Sequence, residues 1–510
     1  MKSRVYIVLT ISLLFVSCTS APSATPTLVA DVIPLTPAGA TVPANTPTAI
    51  ATLTNTATPT NTSTPTFLPT NTPLPPLTVS FYRLRIEYST TSDWTTLDLD
   101  KATNILTARL ITISGNPSNF EVGAYHLALN QPISAAQAGQ SVGVTVDYAL
   151  FPNSLNQPLA FILKKGALNG SVVRVLNVTG NNVQLIQEVK HQVVVESNPD
   201  INPLAFSVDL SSLKSTSPLQ VQIERPTSQR MLWAFYYPWY YADDWSSTQL
   251  KDRPITRYSS DDRRAITHQI EQAQSAGIDG FISSWCGPGD YTDQNLKLLL
   301  DLAQEKRFSV TIYFETLKDS GRPRDKDEIL KWLSYAISTY RGHPAFMKVN
   351  GKPLIVIWAS ESVPLATWKS ILEELRAQGL DATYLATGYN ITNLDVFDGL
   401  HEYNVSTIPN LTETFRSVAR ATRYYGLLAD SPTPKIWVAT VQPGFGEFPD
   451  RDNGKFYRNT FEAALKSDPD WIFITTWNEW WEHTHIEPSE LYGDLYLRIT
   501  REFAEKWKGQ

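Results

Sequence analysis

The chain reads as a multidomain protein: a carboxyl-terminal (β/α)8 TIM barrel preceded by an all-β sandwich and a disordered Thr/Pro-rich tether. Three observations point there. From about residue 230 onward, eight apolar runs of strand length recur, several of them separated by segments of helical period. Between residues 78 and 226, short alternating stretches are divided by Gly, Asn, Pro and Ser turns, with no long helical period. Ahead of these lies a Thr-, Pro-, Ala- and Asn-rich stretch that cannot bury enough apolar surface to offset its ordering entropy.

In chain order, residues 1–18 read as a lipoprotein-type signal peptide. "MKSR" is a basic start, and "VYIVLTISLLFV" is an apolar core shorter than the roughly 20 residues a membrane span needs. Ser17 followed by Cys18 resembles a bacterial lipobox, in which the cysteine is lipidated and becomes the mature first residue. An ordinary secretory signal that removes Cys18 shares the pattern, and export is expected on both. Residues 19–77 are the tether, extended and partly polyproline-like, which holds the sandwich and barrel away from the membrane. At 510 residues and 42% hydrophobic content, the remainder suffices for more than one core. A net charge of -7 without clustered Lys and Arg excludes a nucleic-acid partner. The one other cysteine, Cys286 in "SSWCGPGD", has no nearby histidine and is expected to pack rather than attack.

Residues 78–226 carry "LTVSFYRLRIEY", "ILTARLITI", "SVGVTVDYAL", "VQLIQEVKHQVVVES" and "PLAFSVDL", the pattern of an antiparallel sandwich. A carbohydrate-binding module and a structural spacer both fit it. Residues 227–510 supply the barrel. Its strand runs are "LWAFYYP", "IDGFISSW", "FSVTIYFE", "PLIVIWA", "ATYLATG", "FDGLHEY", "IWVATVQP" and "WIFITTWNE". "DDRRAITHQIEQAQSAG" sets Ile266, Ile270 and Ala273 on one helix face, with Asp261 or Asp262 to cap its start and Gly277 its end. Ile329, Trp332, Leu333, Ala336 and Ile337 repeat the pattern, as do Trp368, Ile371, Leu372 and Leu375 before Gly379. Between the fifth and sixth runs the spacing leaves little room for a helix.

A (β/α)8 barrel places its active site at the carboxyl ends of its strands. There the sequence gathers Tyr237 and Trp239, Trp285, Glu315, His401 and Tyr403, Gln442, and finally Asn478, Glu479, Trp481 and Glu482. Aromatics beside acids and amides suit sugars: rings take the C–H faces while carboxylates and amides take the hydroxyls. Convergent carboxylates suggest glycoside chemistry, with one acid protonating the leaving oxygen. Trp480 and Trp481 would desolvate that acid and raise its pKa. "HTH", His483 and His485, has the look of a metal pair but no third ligand near it in sequence, so no metal and no cofactor are expected.

"FYYPWY", "GIDGFISSW", "YFE" and "WNEWWEHTHIEPS" resemble glycoside hydrolase family 99, the endo-α-1,2-mannosidases and endo-α-1,2-mannanases. The likeness covers the barrel alone, about residues 230 to 508. It implies a retaining endo-enzyme without a carboxylate nucleophile, in which the substrate's own 2-hydroxyl attacks the anomeric carbon through a 1,2-anhydro sugar. By motif, Glu479 matches the residue that draws the proton from that hydroxyl, and Glu482 the general acid/base. Glu315 matches a carboxylate of the substrate cleft and Tyr403 an active-site tyrosine. Trp481 and His483 depart from the family's NEWHEGT-like stretch, standing where it has His and Gly. Similar "WNEWxE" signatures occur in barrels of polysaccharide-synthesis clusters, so an endo-hydrolase for another linkage is an alternative. A surface glycan-binding protein with a non-catalytic barrel is another, although a binding cleft has no need of a matched acid pair.

The expectation is an exported endo-glycosidase acting on a mannose-containing glycan, held at the outer face of the cell membrane through a lipid anchor. Replacing Cys18 with Ala should then release the protein from the membrane fraction, as fractionation and blotting would show; unchanged association would sink the lipoprotein assignment.

Overall fold

The computed structural model describes residues 76–509, apart from 101–104, 182, 193–202, 228, 430–432 and 448–450. The signal segment with Cys18, and all but the last two residues of the tether, lie outside the described residues.

The first described part consists of two antiparallel sheets. In one, Leu77–Thr90 runs between Val142–Leu150 and Ser171–Asn177 and also pairs with Leu219–Ile223, with Ile105–Ser114 and Gln184–His191 at the flanks. In the other, Trp94–Leu99 lies between His126–Asn130 and Leu159–Lys165, extended by Asn119–Val122 and Leu204–Val208. Alternation decides which residues go inside. Leu84, Ile86 and Tyr88 of the first sheet share a buried cluster with Leu97, Leu99, Leu127, Leu129, Phe161 and Leu163 of the second. The Tyr88 hydroxyl meets Thr95 Oγ1 at 2.5 Å across that core.

The eight apolar runs each form a parallel strand of one closed sheet, here numbered from the barrel's own start. They are β1 Met231–Tyr236, β2 Gly280–Trp285, β3 Ser309–Glu315, β4 Lys352–Trp358, β5 Thr383–Thr387, β6 Gly399–His401, β7 Ile436–Val441 and β8 Trp471–Ile474. Sequential neighbours pair, β1 pairs with β8, and β3 pairs with β4 through Ile312 opposite Ile355. The strands are apolar throughout because both faces are covered. Trp233, Phe235, Ile282, Tyr313, Val356, Val438 and Phe473 fill the barrel interior, while Leu232, Phe281, Phe314 and Ile357 pack outward under the helices. Gly280 is dictated by the Trp233 indole, since a Cβ there would lie 2.3 Å from the ring.

The outer layer comprises α1 Arg263–Ser275, α2 Tyr291–Lys306, α3 Lys326–Tyr340, α4 Leu365–Ala377, α5 Leu411–Tyr424, α6 Lys455–Leu465 and α7 Leu495–Lys508. Of the two candidate caps for α1, Asp262 is the one used, accepting from the Arg264 N–H at 2.8 Å. Ile266, Ile270 and Ala273 are buried as their spacing requires, and so are Trp368, Ile371, Leu372 and Leu375 of α4. Trp332 of α3 is only half-buried, with the Arg324 guanidinium lying over its ring at 3.7 Å. Between β5 and β6 the chain makes a 3₁₀ turn, Ile391–Asp395, in place of a helix.

The two parts share apolar surface. Val79, Phe81, Leu106, Ala149 and Ile223 are buried together with Leu427 and Leu428, which follow α5. Thr107 donates to the Ala421 carbonyl at 2.8 Å and Arg109 to the Leu428 carbonyl at 2.8 Å. Every tryptophan except Trp94 lies in the barrel, so tryptophan fluorescence reports mainly on its unfolding. Phe81→Ala should therefore lower the fluorescence-detected denaturation midpoint, with a loss of about 3 kcal/mol typical of emptying a buried aromatic site. An unmoved barrel midpoint would show that the two cores unfold independently.

Candidate active site

β8 runs straight into the segment that carries both acids, and its last polar groups fold the segment back on itself. The Thr476 N–H donates to the Thr484 carbonyl at 2.9 Å, and the Thr484 N–H to the Glu479 carbonyl at 3.2 Å. The Thr476 hydroxyl oxygen accepts from the Glu479 N–H at 2.8 Å. Asn478 staples this loop to the end of β1: its Oδ1 accepts from the Tyr237 N–H at 2.7 Å and its Nδ2 donates to the Tyr237 carbonyl at 3.0 Å. The backbone that presents Tyr237 is thereby fixed against the backbone that presents Glu479.

The acids sit among tyrosines. The Tyr237 hydroxyl donates to the Tyr403 hydroxyl at 2.9 Å, and Tyr403 donates to Glu482 Oε2 at 2.6 Å. Glu479 is 3% exposed, and its Oε1 accepts from the Trp481 N–H at 3.0 Å and the Tyr240 hydroxyl at 3.3 Å. Tyr240 in turn accepts from the Trp480 N–H at 3.0 Å. Glu482 is less deeply buried than Glu479. Burial pushes its carboxyl up to about 7, against the pull of the Tyr403 hydroxyl. Burial, followed by the neighbouring Glu482 charge, also drives Glu479 well above the usual carboxylate range, while the Trp481 N–H and Tyr240 oppose that rise. The Glu482 charge adds to the rise of Glu479, so the pair disfavours carrying two charges at once.

Glu315, at the end of β3, is the third carboxyl of the mouth. Its Oε1 accepts from Ser284 Oγ at 2.6 Å, and the Arg324 Nε donates to its main-chain carbonyl at 2.9 Å. Burial raises it to about 7, with Glu482 adding to the rise against Ser284 and Arg324. Burial, and then the charges of Glu482, Glu315 and Glu479, hold the Tyr237 hydroxyl well above its ordinary range. Trp239 and Trp481 are half-exposed and pack against this cluster, Trp239 with its ring 4.6 Å from that of Tyr237. Partly exposed rings and raised carboxyls therefore meet at the carboxyl ends of the barrel strands.

Four other rim residues turn away from the mouth. Trp285 points outward, buried against Phe314, Trp332 and Tyr335, with its indole N–H on Asp293 at 2.9 Å. His401 is fully buried below the tyrosines, where its Nε2 donates to the Ile357 carbonyl at 3.3 Å and burial pushes its pKa down to about 4. Gln442 accepts from the Val405 N–H and donates to the Gly444 carbonyl, and Asn478 has the stapling role described above. Each was expected to contact substrate; in the structure each is buried with a polar atom bonded to the protein, because strand alternation or loop closure directs it into the packed wall. Cys286 is free, and burial pushes its thiol far up, as suits packing.

Sequence reasoning also missed groups. Tyr240 and Tyr258 lie beyond the first strand run, and Glu487 was legible only as part of "IEP". Glu487 is buried, raised to about 7 by that burial, and accepts from Gln269 at 2.7 Å and Tyr258 at 2.9 Å. The histidine pair does have a carboxylate neighbour: Asp252, more than 200 residues away, joins His483 and His485 in a buried group whose donor atoms lie within 4.8 Å of one another. A guanidinium from Arg451 already stands in that group, its Nη2 3.5 Å from His485 Nδ1. A separate groove of about 570 Å³ between α5 and α6, lined by residues such as Ile408, Leu411, Phe456 and Asn459, includes neither acid.

The model of Glycosyl hydrolase family 99 matches residues 241–508, more than half of the chain. The chain belongs to glycosyl hydrolase family 99. It is accordingly a glycoside hydrolase. A glycoprotein endo-alpha-1,2-mannosidase of Rattus norvegicus is 25% identical over 365 residues, covering 56% of this chain and 76% of the relative. A Xenopus laevis protein of the same name is 28% identical over 290 residues, 49% of this chain and 64% of its own. Among solved structures, the family 99 endo-alpha-mannosidase from Bacteroides thetaiotaomicron is 22% identical, covering 55% of this chain and 98% of that one, with a TM-score of 0.49.

In a family 99 site with this arrangement, the Tyr403 hydroxyl stabilises ionised Glu482. Tyr403→Phe should therefore let the Glu482 pKa rise and move the alkaline limb of the kcat profile to higher pH. A pH series on the purified variant measures this; a limb that stays put or moves down would show that Glu482 does not set it.

Proposed function

We propose that this chain is an exported, retaining endo-glycoside hydrolase that cleaves α-mannosidic linkages of a polysaccharide or an N-glycan-like glycan. The observation that carries it is the enclosure of two carboxyls, Glu479 and Glu482, on one loop at the barrel mouth with both pKa values raised. The relatives named endo-alpha-1,2-mannosidase support an α-mannoside as the substrate. The lipobox-like Ser17–Cys18 pair supports attachment to the outer face of the cell membrane.

In the first step, Glu479 takes the proton of the sugar 2-hydroxyl as that oxygen bonds to the anomeric carbon. The bond to the leaving oxygen breaks, and Glu482 delivers its proton there. In the second step, Glu482 takes a proton from water as the water oxygen attacks the anomeric carbon. The bond from that carbon to O2 breaks, and Glu479 returns its proton to O2. Two inversions give overall retention. Glu479 is given the base role by its match to the family motif, and two donors on its Oε1 work against the rise that burial imposes. Glu482 suits the acid because it borders the open cleft, where a leaving group has to depart. Glu315 and Tyr403 bind sugar hydroxyls, and Tyr237, Trp239 and Trp481 offer rings to the sugar faces.

Digestion of an α-1,2-linked mannan and of a glucosylated high-mannose glycan tests the proposal. The wild-type chain should release oligosaccharides, and Glu482→Gln should lower turnover by about 10²- to 10⁴-fold, the range of general-acid catalysis. Retained binding with no release by a folded wild-type chain would instead support the glycan-binding alternative.

A further inference from the structure

Behind the acid loop lies a buried ionic group that the proposed chemistry does not use. Arg451 is 3% exposed although it is a full guanidinium. Its Nη1 donates to the His485 carbonyl at 3.0 Å and its Nη2 to the His483 carbonyl at 2.5 Å. The rings of Tyr492 and Tyr496 each lie 4.8 Å from its central carbon. The compensating charge is Asp252, whose Oδ2 accepts from His485 Nε2 at 3.1 Å. Burial alone would raise Asp252, but its hydrogen bonds to His485 and Ser489 hold it down to about 2. Burial and the Arg451 charge keep His485 neutral, with its pKa down to about 3. The group is therefore a balanced cation–imidazole–carboxylate chain at any working pH.

Its contacts fall where the acid loop most needs support. His483, the residue after Glu482, has φ +56°, a left-handed backbone that a non-glycine residue adopts at a cost of about 1 kcal/mol. Its carbonyl has turned inward to meet Arg451, and its Nδ1 donates to the Gly446 carbonyl at 2.9 Å. The Gly446 N–H donates to the carbonyl of Glu482 itself at 2.7 Å. On the other side, the His485 ring stacks on Trp480 at 3.9 Å between centroids, and Trp480 leads through Tyr240 to Glu479. A buried carbonyl without a donor is expensive. A planar fork bridges two of them at once, which a lysine ammonium cannot reproduce.

We propose that Arg451 is a positioning residue for Glu482. Its guanidinium, balanced by Asp252, holds the left-handed turn at His483 and so aims the Glu482 carboxyl toward Tyr403 and the leaving oxygen. This rests on the assignment of Glu482 as the acid. A misaimed acid hurts only reactions that need protonation, so the signature is a dependence on the leaving group.

The test uses the full-length chain with two substrates sharing the same non-reducing sugars, one a glycan and one a glycosyl fluoride, whose leaving group needs little protonation. Arg451→Lys should lower kcat on the glycan by about 10- to 100-fold, the scale of a small misplacement. KM should stay within about threefold and kcat on the fluoride should change far less. Wild-type kcat on the glycan would overturn the proposal, as would equal losses on both substrates accompanied by a lower melting temperature. If Arg451→Lys does not fold, Asp252→Asn is read by the same criteria, and equal losses there overturn the proposal as well. Glu482→Gln, run beside them, separates the two inferences. Turnover of the glycan by that variant would fail the acid assignment, whereas its loss together with wild-type kcat in Arg451→Lys would fail only the role of Arg451.

Discussion

The arrangement of the barrel mouth follows from one constraint: two carboxyls held close together away from water. Such a pair disfavours the doubly ionised state and demands donors for whichever oxygen carries charge. The tyrosines supply them in sequence. Tyr237 donates to Tyr403 and Tyr403 to Glu482, while Tyr240, itself held by a main-chain N–H, reaches Glu479. Each hydroxyl lies on an aromatic ring that excludes water, so the groups that solvate the acids also raise their pKa values.

The rest of the barrel keeps that enclosure rigid. Parallel strands bring the ends of β1, β6 and β8 to one rim, and the Asn478 side chain ties the first to the last through both of its polar atoms. Beneath the tyrosines, His401 packs at a tilt against the rings of Phe235, Tyr313 and Phe473, so the barrel interior there is filled by rings. Close packing of this kind leaves little freedom for the hydroxyls above it. Arg451 and Asp252 support the acid loop from behind with buried charges that cancel, a costly arrangement when either partner is missing.

The amino-terminal sheets join the same body through Phe81, Leu106, Leu427 and Leu428. The surface they cover belongs to α5, the turn after it and Asp395 of the 3₁₀ turn between β5 and β6. Their contribution seen here is therefore to the stability of the barrel wall, through apolar contact and the Thr107 and Arg109 hydrogen bonds.

By itself, the sequence determined the barrel and the acids. Strands buried on both faces must be apolar throughout, and helices covering them must carry one apolar stripe, so both leave local patterns that can be read without coordinates. Glu479 and Glu482 were legible for a similar reason: their spacing and their tryptophan neighbours lie within one short stretch. Only the tertiary structure decided which rim residues face the cleft. Trp285, His401, Gln442 and Asn478 stand at strand ends like Tyr237 and Glu315, yet strand alternation and loop closure turn them into the wall. Nor did any local signal reveal that Asp252 and Arg451 meet His485, or that Tyr240 reaches Glu479. Barrel closure brings Asp252 to His485 and Tyr240 to Glu479 across more than 200 residues of chain, and Arg451 reaches His485 from the preceding strand-to-helix connection; such hydrogen bonds leave no period and no spacing in the sequence.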